Sequence, residues 1–314
     1  MDNLMQEFPL RVGNIIDHAA RYHGKRKIMS RSVEGPIIET NWVKIHEKAK
    51  RLSKALIKLE IGKGDVVGVM AWNTSRHLEI VYGVPGCGAV NHTLNPRLFS
   101  EQLVYIINHA EDKVLMVDRD LIPVIEKIIN KCPMIKHVIV MTDNKNMPNS
   151  KLRNLLCYED IVSEQDEDFN WVNGSEIDAC GICYTSGTTG NPKGVVYTHR
   201  SNTLHALASS APDMLGLSST EVIMPVVPLF HANGWSIGYT APLTGASMIM
   251  PGRDMSPAAL YEMLELGATV TAAVPTVWLL LLDYLEKEDL KLNTLKRVVI
   301  GGSACPRAVI EKFQ

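Results

Sequence analysis

Tyr184-Thr185-Ser186-Gly187-Thr188-Thr189-Gly190-Asn191-Pro192-Lys193-Gly194 packs four aliphatic hydroxyls, three glycines and one lysine into a stretch that follows an apolar run and cannot continue it. Glycines at 187, 190 and 194 can take positive φ, so successive backbone N–H groups can turn toward one anion. Thr185, Ser186, Thr188 and Thr189 add short hydroxyl donors, and Lys193 adds a point charge with three donors. The guest that suits such a loop is a polyphosphate. The competing reading is a Ser/Thr/Gly surface loop with no ligand. A Walker A loop is excluded by the local order, because it needs Gly-x-x-x-x-Gly-Lys followed by Ser or Thr, with the lysine opening a helix. Here Pro192 precedes the lysine, Gly194 follows it, and Val195-Val196-Tyr197 favours a strand. A strand–loop–strand clamp is expected.

Other residues invite chemistry less directly. His231 and Trp235 stand four apart after Pro228 and would share one face of a helical turn. Phe230 belongs to the core in this reading, and a satisfied core histidine beside a packing tryptophan is the alternative for the pair. Gly301-Gly302-Ser303-Ala304 follows a predicted strand at 297–300, the place where open α/β sheets bind ligands. An ordinary strand-to-helix turn would use the same glycines. Residues 274–278 and the leucines at 279–282 line an acyl tunnel or form helix core, and the sequence alone favours core. Cys180-Gly181-Ile182-Cys183 is a lone C-x-x-C, whereas a structural zinc site needs four ligands. It reads as a buried strand feeding the loop.

The elements that must position these residues alternate along the chain. Ile45, Ala49, Leu52, Leu56 and Leu59 repeat at three- and four-residue intervals, an amphipathic helix. Residues 65–71 read as a buried strand, and Asn73 or Thr74 caps a helix that runs toward Val84 and is stopped by Pro85 and Gly86. Strands are predicted at 113–118 and 136–141 with a helix at 121–130 between them. The polar stretch 143–168 reads as a surface excursion or subdomain boundary. A second set follows, with strands at 179–185, 221–227, 246–250, 268–273 and 297–300 and helices at 257–266 and 275–285. This is an α/β chain with mixed, largely parallel sheets, divided into a first α/β subdomain over about residues 1–170 and a second, carrying the loop, over 171–314.

With 314 residues and 46% apolar content the chain can bury one large or two smaller cores. A formal charge of −2 offers no electrostatic case for a nucleic-acid partner. The longest apolar run, near 272–282, contains Pro275 and is too short to span a membrane. No export signal opens the sequence, and the six cysteines have no disulfide-framework spacing, so a cytoplasmic protein is expected.

The loop, with Thr198-His199-Arg200 after it, closely resembles the signature of the adenylate-forming (AMP-binding) superfamily of acyl-CoA synthetases, luciferases and adenylation domains. Pro228-Leu229-Phe230-His231-Ala232-Asn233-Gly234-Trp235 and Val274-Pro275-Thr276-Val277-Trp278 look most like bacterial medium- and long-chain fatty acyl-CoA synthetases. The resemblance implies the N-terminal domain of an acyl-CoA synthetase-like fold and a fatty acid–CoA ligase that uses ATP, Mg2+ and CoA and pairs as a homodimer. It implies catalytic roles for Thr185, Lys193 and His231, with Thr185 ligating Mg2+ and Ser186, Gly187, Thr188, Thr189, Gly190 and Lys193 holding the β- and γ-phosphates. It places His231 near the acyl carboxylate, makes Trp235 a gate on the acyl channel, and brings Gly301, Gly302 and Ser303 to the adenylate. The family's Tyr-Gly-x-Thr-Glu element, ribose-gripping aspartate and C-terminal lysine domain lie beyond the point where this sequence ends. The expectation is therefore a truncated or split enzyme, with a separately encoded C-terminal part as a partner and little turnover of its own. A non-catalytic remnant that binds nucleotide weakly or dimerises, and an adenylating enzyme with another acceptor, stay open.

Overall fold

The computed structural model describes residue 5, residues 7–185 and residues 191–313. Its strands are β1 (Lys27–Arg31), β2 (Ile37–Asn41), β3 (Val66–Met70), β4 (Val90–Thr93), β5 (Asp112–Val117), β6 (His137–Val140), β7 (Leu155–Cys157), β8 (Ala179–Thr185), β9 (Lys193–Thr198), β10 (Val222–Pro225), β11 (Ser247–Met250), β12 (Val270–Ala273) and β13 (Arg297–Ile300). Its helices are α1 (Val12–His23), α2 (Trp42–Lys58), α3 (Ser75–Gly86), α4 (Ser100–His109), α5 (Ile122–Ile128), α6 (Tyr158–Ser163), α7 (His199–Ser209), α8 (Ile237–Thr244), α9 (Pro257–Leu264), α10 (Pro275–Lys287) and α11 (Arg307–Phe313).

The strands form a seven-stranded sheet in the order β7-β6-β5-β3-β4-β8-β9 and a six-stranded sheet in the order β13-β12-β10-β11-β1-β2. Every pairing is parallel except β1 with β2 and β8 with β9. Those two exceptions are the strand pairs joined by short connections, as parallel neighbours need a long crossover. The sheets do not follow the two halves of the chain. The hairpin β1–β2 joins strands from the second half, and β8–β9 closes the sheet built by the first half, so sheet membership interleaves across residue 170.

Helix α2 carries the predicted stripe, with Ile45, Ala49, Leu52 and Leu56 all fully buried. Thr74 caps α3 by accepting from the His77 amide. Pro85 lies inside α3, which runs one residue past it to Gly86 rather than stopping there as predicted. The stretch 143–168 is more ordered than its polarity suggests. Leu155–Cys157 adds β7 to the sheet edge, and buried Tyr158 donates to Glu79 at 2.7 Å. One core joins α1, α2, α3 and α8 with strands of the six-stranded sheet through Ile16, Trp42, Tyr82, Tyr239 and Met248. Trp42, fully buried, donates its indole N–H to the Ala246 carbonyl at 3.0 Å and so ties α2 to the start of β11. Among the described residues no helix is long and apolar enough to cross a membrane.

Candidate functional site

The hydroxyl-rich segment sits between β8 and β9, a strand–loop–strand hairpin as expected. Ser186, Gly187, Thr188, Thr189 and Gly190 lie outside the described residues. Their two flanks are well placed. Thr185 and Lys193 are direct cross-strand partners, so their side chains share one face of the hairpin at its mouth. Both are exposed, and neither side chain has a hydrogen-bond or ion-pair partner among the described residues. An unpaired ammonium beside an unpaired hydroxyl fits an oxyanion and a hard cation's oxygen shell.

The backing of this hairpin was not anticipated. The Tyr184 hydroxyl is hydrogen-bonded to Nδ1 of His109 at 2.6 Å, and its ring lies 5.0 Å from that of His92. Burial pushes the Tyr184 hydroxyl up to about 12. His92 in turn sets Nδ1 2.8 Å from Asp112, both side chains fully buried. Burial raises the Asp112 carboxyl, and the histidine opposes that rise. Gly194 does not take the left-handed backbone foreseen for it. A Cβ there would stand 3.0 Å from the Tyr184 ring, so that glycine is needed for close approach.

His231 follows β10 and reaches the same place from the other sheet. It lines a cavity of about 270 Å3 with Thr93, Tyr184, Thr185 and Pro192. Phe230 is core, 4% exposed, and packs edge-to-face on Trp72. The right-handed turn expected after His231 is absent. Ala232, Asn233, Gly234, Trp235 and Ser236 take φ of 39°, 42°, 60°, 54° and 63°, a turn of left-handed helix. His231 precedes this turn in extended backbone, and it lines a different cavity from Trp235. Trp235 lines a second cavity of about 250 Å3 with Tyr197, Asn202, His205 and Asn233, and Ala232 and Tyr197 border both chambers.

Left-handed backbone costs about 1–2 kcal/mol for each non-glycine residue, so four such residues must be held by their surroundings. The holding groups are visible. Asn73, 1% exposed, donates to the carbonyls of Pro225 and Val227 at 2.8 and 2.9 Å and accepts from the Leu229 amide at 2.8 Å. Thr93 donates to Oδ1 of Asn233 at 3.1 Å. A side chain at Gly234 would meet Leu229 at 2.6 Å, and the Trp235 ring lies so close to Gly301 that a Cβ there would be 2.9 Å from it.

That last contact brings two of the expected site segments together. Gly302 has φ of 80°, which favours glycine, and a Cβ would press on Val274 at 3.0 Å. Ser303 is exposed at the same turn. Trp278 and Leu281 are fully buried in core, whereas Leu279 and Leu280 are exposed. Cys180 and Cys183 are buried in β8, with burial pushing the Cys180 thiol up to about 12. A larger cleft of about 810 Å3 lies elsewhere, along Leu282, Leu285, Ile300 and Phe313. Of the leucines weighed for an acyl tunnel only Leu282 lines it, and none of the residues expected to hold phosphate, carboxylate or adenylate does.

Sequence reasoning gave Asn73 no role beyond a cap, named Tyr184 in the loop segment without a role, and missed Thr93 and His92. The run Asn91-His92-Thr93-Leu94-Asn95 held the available signal: three polar residues in a row, Asn91 to Thr93, that prove buried.

The profile of the AMP-binding enzyme family matches residues 16–314. A 3-methylmercaptopropionyl-CoA ligase of Ruegeria lacuscaerulensis is 44% identical over 99% of this chain and 58% of its own length. A medium-chain-fatty-acid–CoA ligase of Ectopseudomonas oleovorans is 41% identical over 98% of this chain and 57% of its own. The crystal structure of a long-chain-fatty-acid–CoA ligase from Archaeoglobus fulgidus superposes with a TM-score of 0.86 at 25% identity, over 100% of this chain and 62% of that one. The chain thus spans rather more than half the length of the curated relatives it matches.

Proposed function

Because the chain belongs to the AMP-binding enzyme family, we propose that it supplies the nucleotide and acid sites of an ATP-dependent fatty acid–CoA ligase. In the first step a carboxylate oxygen attacks the α-phosphorus of ATP, the bond to the β-phosphate oxygen breaks, and pyrophosphate leaves. In the second the CoA sulfur, having given up its proton, attacks the acyl carbon and AMP departs with the electrons of the broken C–O bond. Work of this kind is positioning and charge neutralisation.

The described residues divide that work. Lys193 offsets phosphate charge as a mobile point charge, and Thr185 offers a hard oxygen ligand to Mg2+. Bound Mg2+ would supply further neutralisation of the phosphates. Ser186, Gly187, Thr188, Thr189 and Gly190 complete the phosphate cradle in this reading. His231 holds the carboxylate, Trp235 closes the acid's side against Gly301, and the backbone at Gly302 and Ser303 receives the adenylate. The remaining groups of the whole reaction, its homodimeric state and its acid's chain length belong to the proposal for the full-length enzyme.

The single observation that carries the reading is the Thr185–Lys193 pair, unpartnered among the described residues, with Thr185 on the wall of the same cavity as His231. Calorimetry with a non-hydrolysable MgATP analogue tests it. Binding is expected for the wild-type chain and should weaken in Thr185→Ala; unchanged affinity refutes the assignment of that hydroxyl.

A further inference from the structure

The left-handed turn at 232–236 hangs from β10 of the six-stranded sheet, whereas Thr185 and Lys193 hang from β8 and β9 of the seven-stranded one. Nothing in the turn's own sequence stabilises its handedness apart from Gly234, and Asn at 233 merely tolerates it. Its tip is secured from the other sheet. Thr93 is the last residue of β4 and is buried; its hydroxyl lies 3.1 Å from Oδ1 of Asn233 and 3.4 Å from the Phe230 carbonyl. In the parallel ladder Thr93 pairs with Cys183, two residues before Thr185, so the root of this contact is fixed relative to the phosphate hairpin. The Asn233 amide also reaches over β8, where a Cβ on Gly181 would come within 3.5 Å of its nitrogen.

We propose that Thr93 and Asn233 are positioning residues: their hydrogen bond latches the left-handed turn to the nucleotide-binding sheet and sets Trp235 and His231 in register with the phosphate hairpin. Thr93 borders the cavity of Thr185 and His231, and Asn233 that of Trp235; the role assigned to both is to hold the turn. Without the bond, Ala232, Asn233, Trp235 and Ser236 relax toward right-handed backbone, and Trp235 leaves Gly301. The acid pocket then loses its wall while the hairpin stays intact. This rests on the ligase reading.

The test measures dodecanoate binding in the presence of a non-hydrolysable MgATP analogue, and binding of the analogue alone. Thr93→Val keeps shape and loses the donor, and Thr93→Ser restores it. Asn233→Gly removes the amide yet favours the same backbone, so it is the variant least exposed to misfolding. Thr93→Val and Asn233→Gly should each weaken dodecanoate about three- to tenfold, the range for one hydrogen bond, and leave the nucleotide analogue within about twofold. Thr93→Ser should match the wild type, and the double variant should be no worse than the poorer single one. Acid affinity indifferent to both variants, a serine variant as poor as the valine, additive losses, or equal losses of acid and nucleotide would each overturn the latch. A wild-type chain that binds no nucleotide overturns the ligase reading and the latch with it. Intact nucleotide binding with unaltered acid affinity overturns the latch alone.

Discussion

Replacing Asn73 by alanine should destabilise the protein by about 3 kcal/mol, because one side chain satisfies three backbone groups at once. Its amide donates to the Pro225 and Val227 carbonyls, and its carbonyl accepts from the Leu229 N–H, all at 2.8–2.9 Å. Asn73 is 1% exposed, so no bulk water stands ready to replace it. Alanine leaves a buried N–H without a partner, about 1–3 kcal/mol, and deprives two carbonyls of one bond each, about 1 kcal/mol apiece. Water entering the vacated volume recovers part of that sum, which brings the expectation to the lower end of a range of about 3–5 kcal/mol. Asn73→Asp is the sharper variant: it keeps the acceptor for Leu229 but aims a second oxygen at two carbonyls, and should cost at least as much at neutral pH. Urea unfolding followed by tryptophan fluorescence reads both. The midpoint should fall while the slope, which follows the surface exposed on unfolding, stays the same. An alanine variant within about 0.5 kcal/mol of the wild type, the usual range of an inert surface change, would show that the three bonds do not hold this segment.

Gly301→Ala places a methyl 2.9 Å from the Trp235 ring and should cost about 1–2 kcal/mol while displacing the indole. The shift is read as a change in tryptophan emission that vanishes when Trp235→Phe is added; emission unchanged by Gly301→Ala alone refutes the packing. Asp118 is buried and accepts a hydrogen bond from the Trp72 amide, yet burial pushes its carboxyl up to about 8. A carboxyl raised in the folded state stabilises it below its ordinary range and loses that contribution as pH climbs to the folded value. Between pH of about 4 and 8 the wild type should therefore lose up to roughly 1.4 kcal/mol per pH unit through this group. Asp118→Asn should remove that slope; parallel stability–pH curves for the two proteins would show the carboxyl to be ionised in the fold.

What the sequence disclosed follows from where the information sits. The β8–β9 hairpin was legible because its hydroxyls, its glycines and the strand-forming Val195-Val196-Tyr197 are contiguous. β13 and the Gly301-Gly302 turn were legible for the same reason. β4 was not. Asn91, His92 and Thr93 look like loop residues, and they are buried only because Asp112 and Asn233, distant in sequence, receive His92 and Thr93. Sheet membership was equally hidden, since a parallel neighbour is chosen across a crossover, and no local pattern says that β1 lies beside β11. The left-handed turn was invisible because Ala-Asn-Gly-Trp-Ser prefers right-handed backbone at four of its five positions. Gly194 showed the opposite hazard: a glycine expected to supply positive φ instead makes room for Tyr184.

A site shared between two sheets has a consequence for how it fails. In the proposed reading, phosphate is held from β8 and β9, and the acid from the turn after β10 and the end of β13. Their alignment depends on the bonds that cross from one sheet to the other. Asn73 and Thr93 are two of them. A third is the ion network in which Arg76 of α3 reaches Glu34, in the β1–β2 connection, and Glu159 of α6, each at 2.8 Å. Thr142 also donates to Glu34, at 2.6 Å. Burial opposes each of these charges, and pairing outweighs it, so Arg76 is raised while Glu34 and Glu159 are held below the usual carboxylate range. Such a pair is weak evidence for stability but strong evidence for a fixed geometry, because removing one member strands the other's buried charge. Each sheet has its own hydrogen-bond ladder, so loss of one crossing bond should disturb the register between the sheets before it melts either one. Variants at these crossings should therefore impair joint binding of acid and nucleotide more than they impair the binding of nucleotide alone.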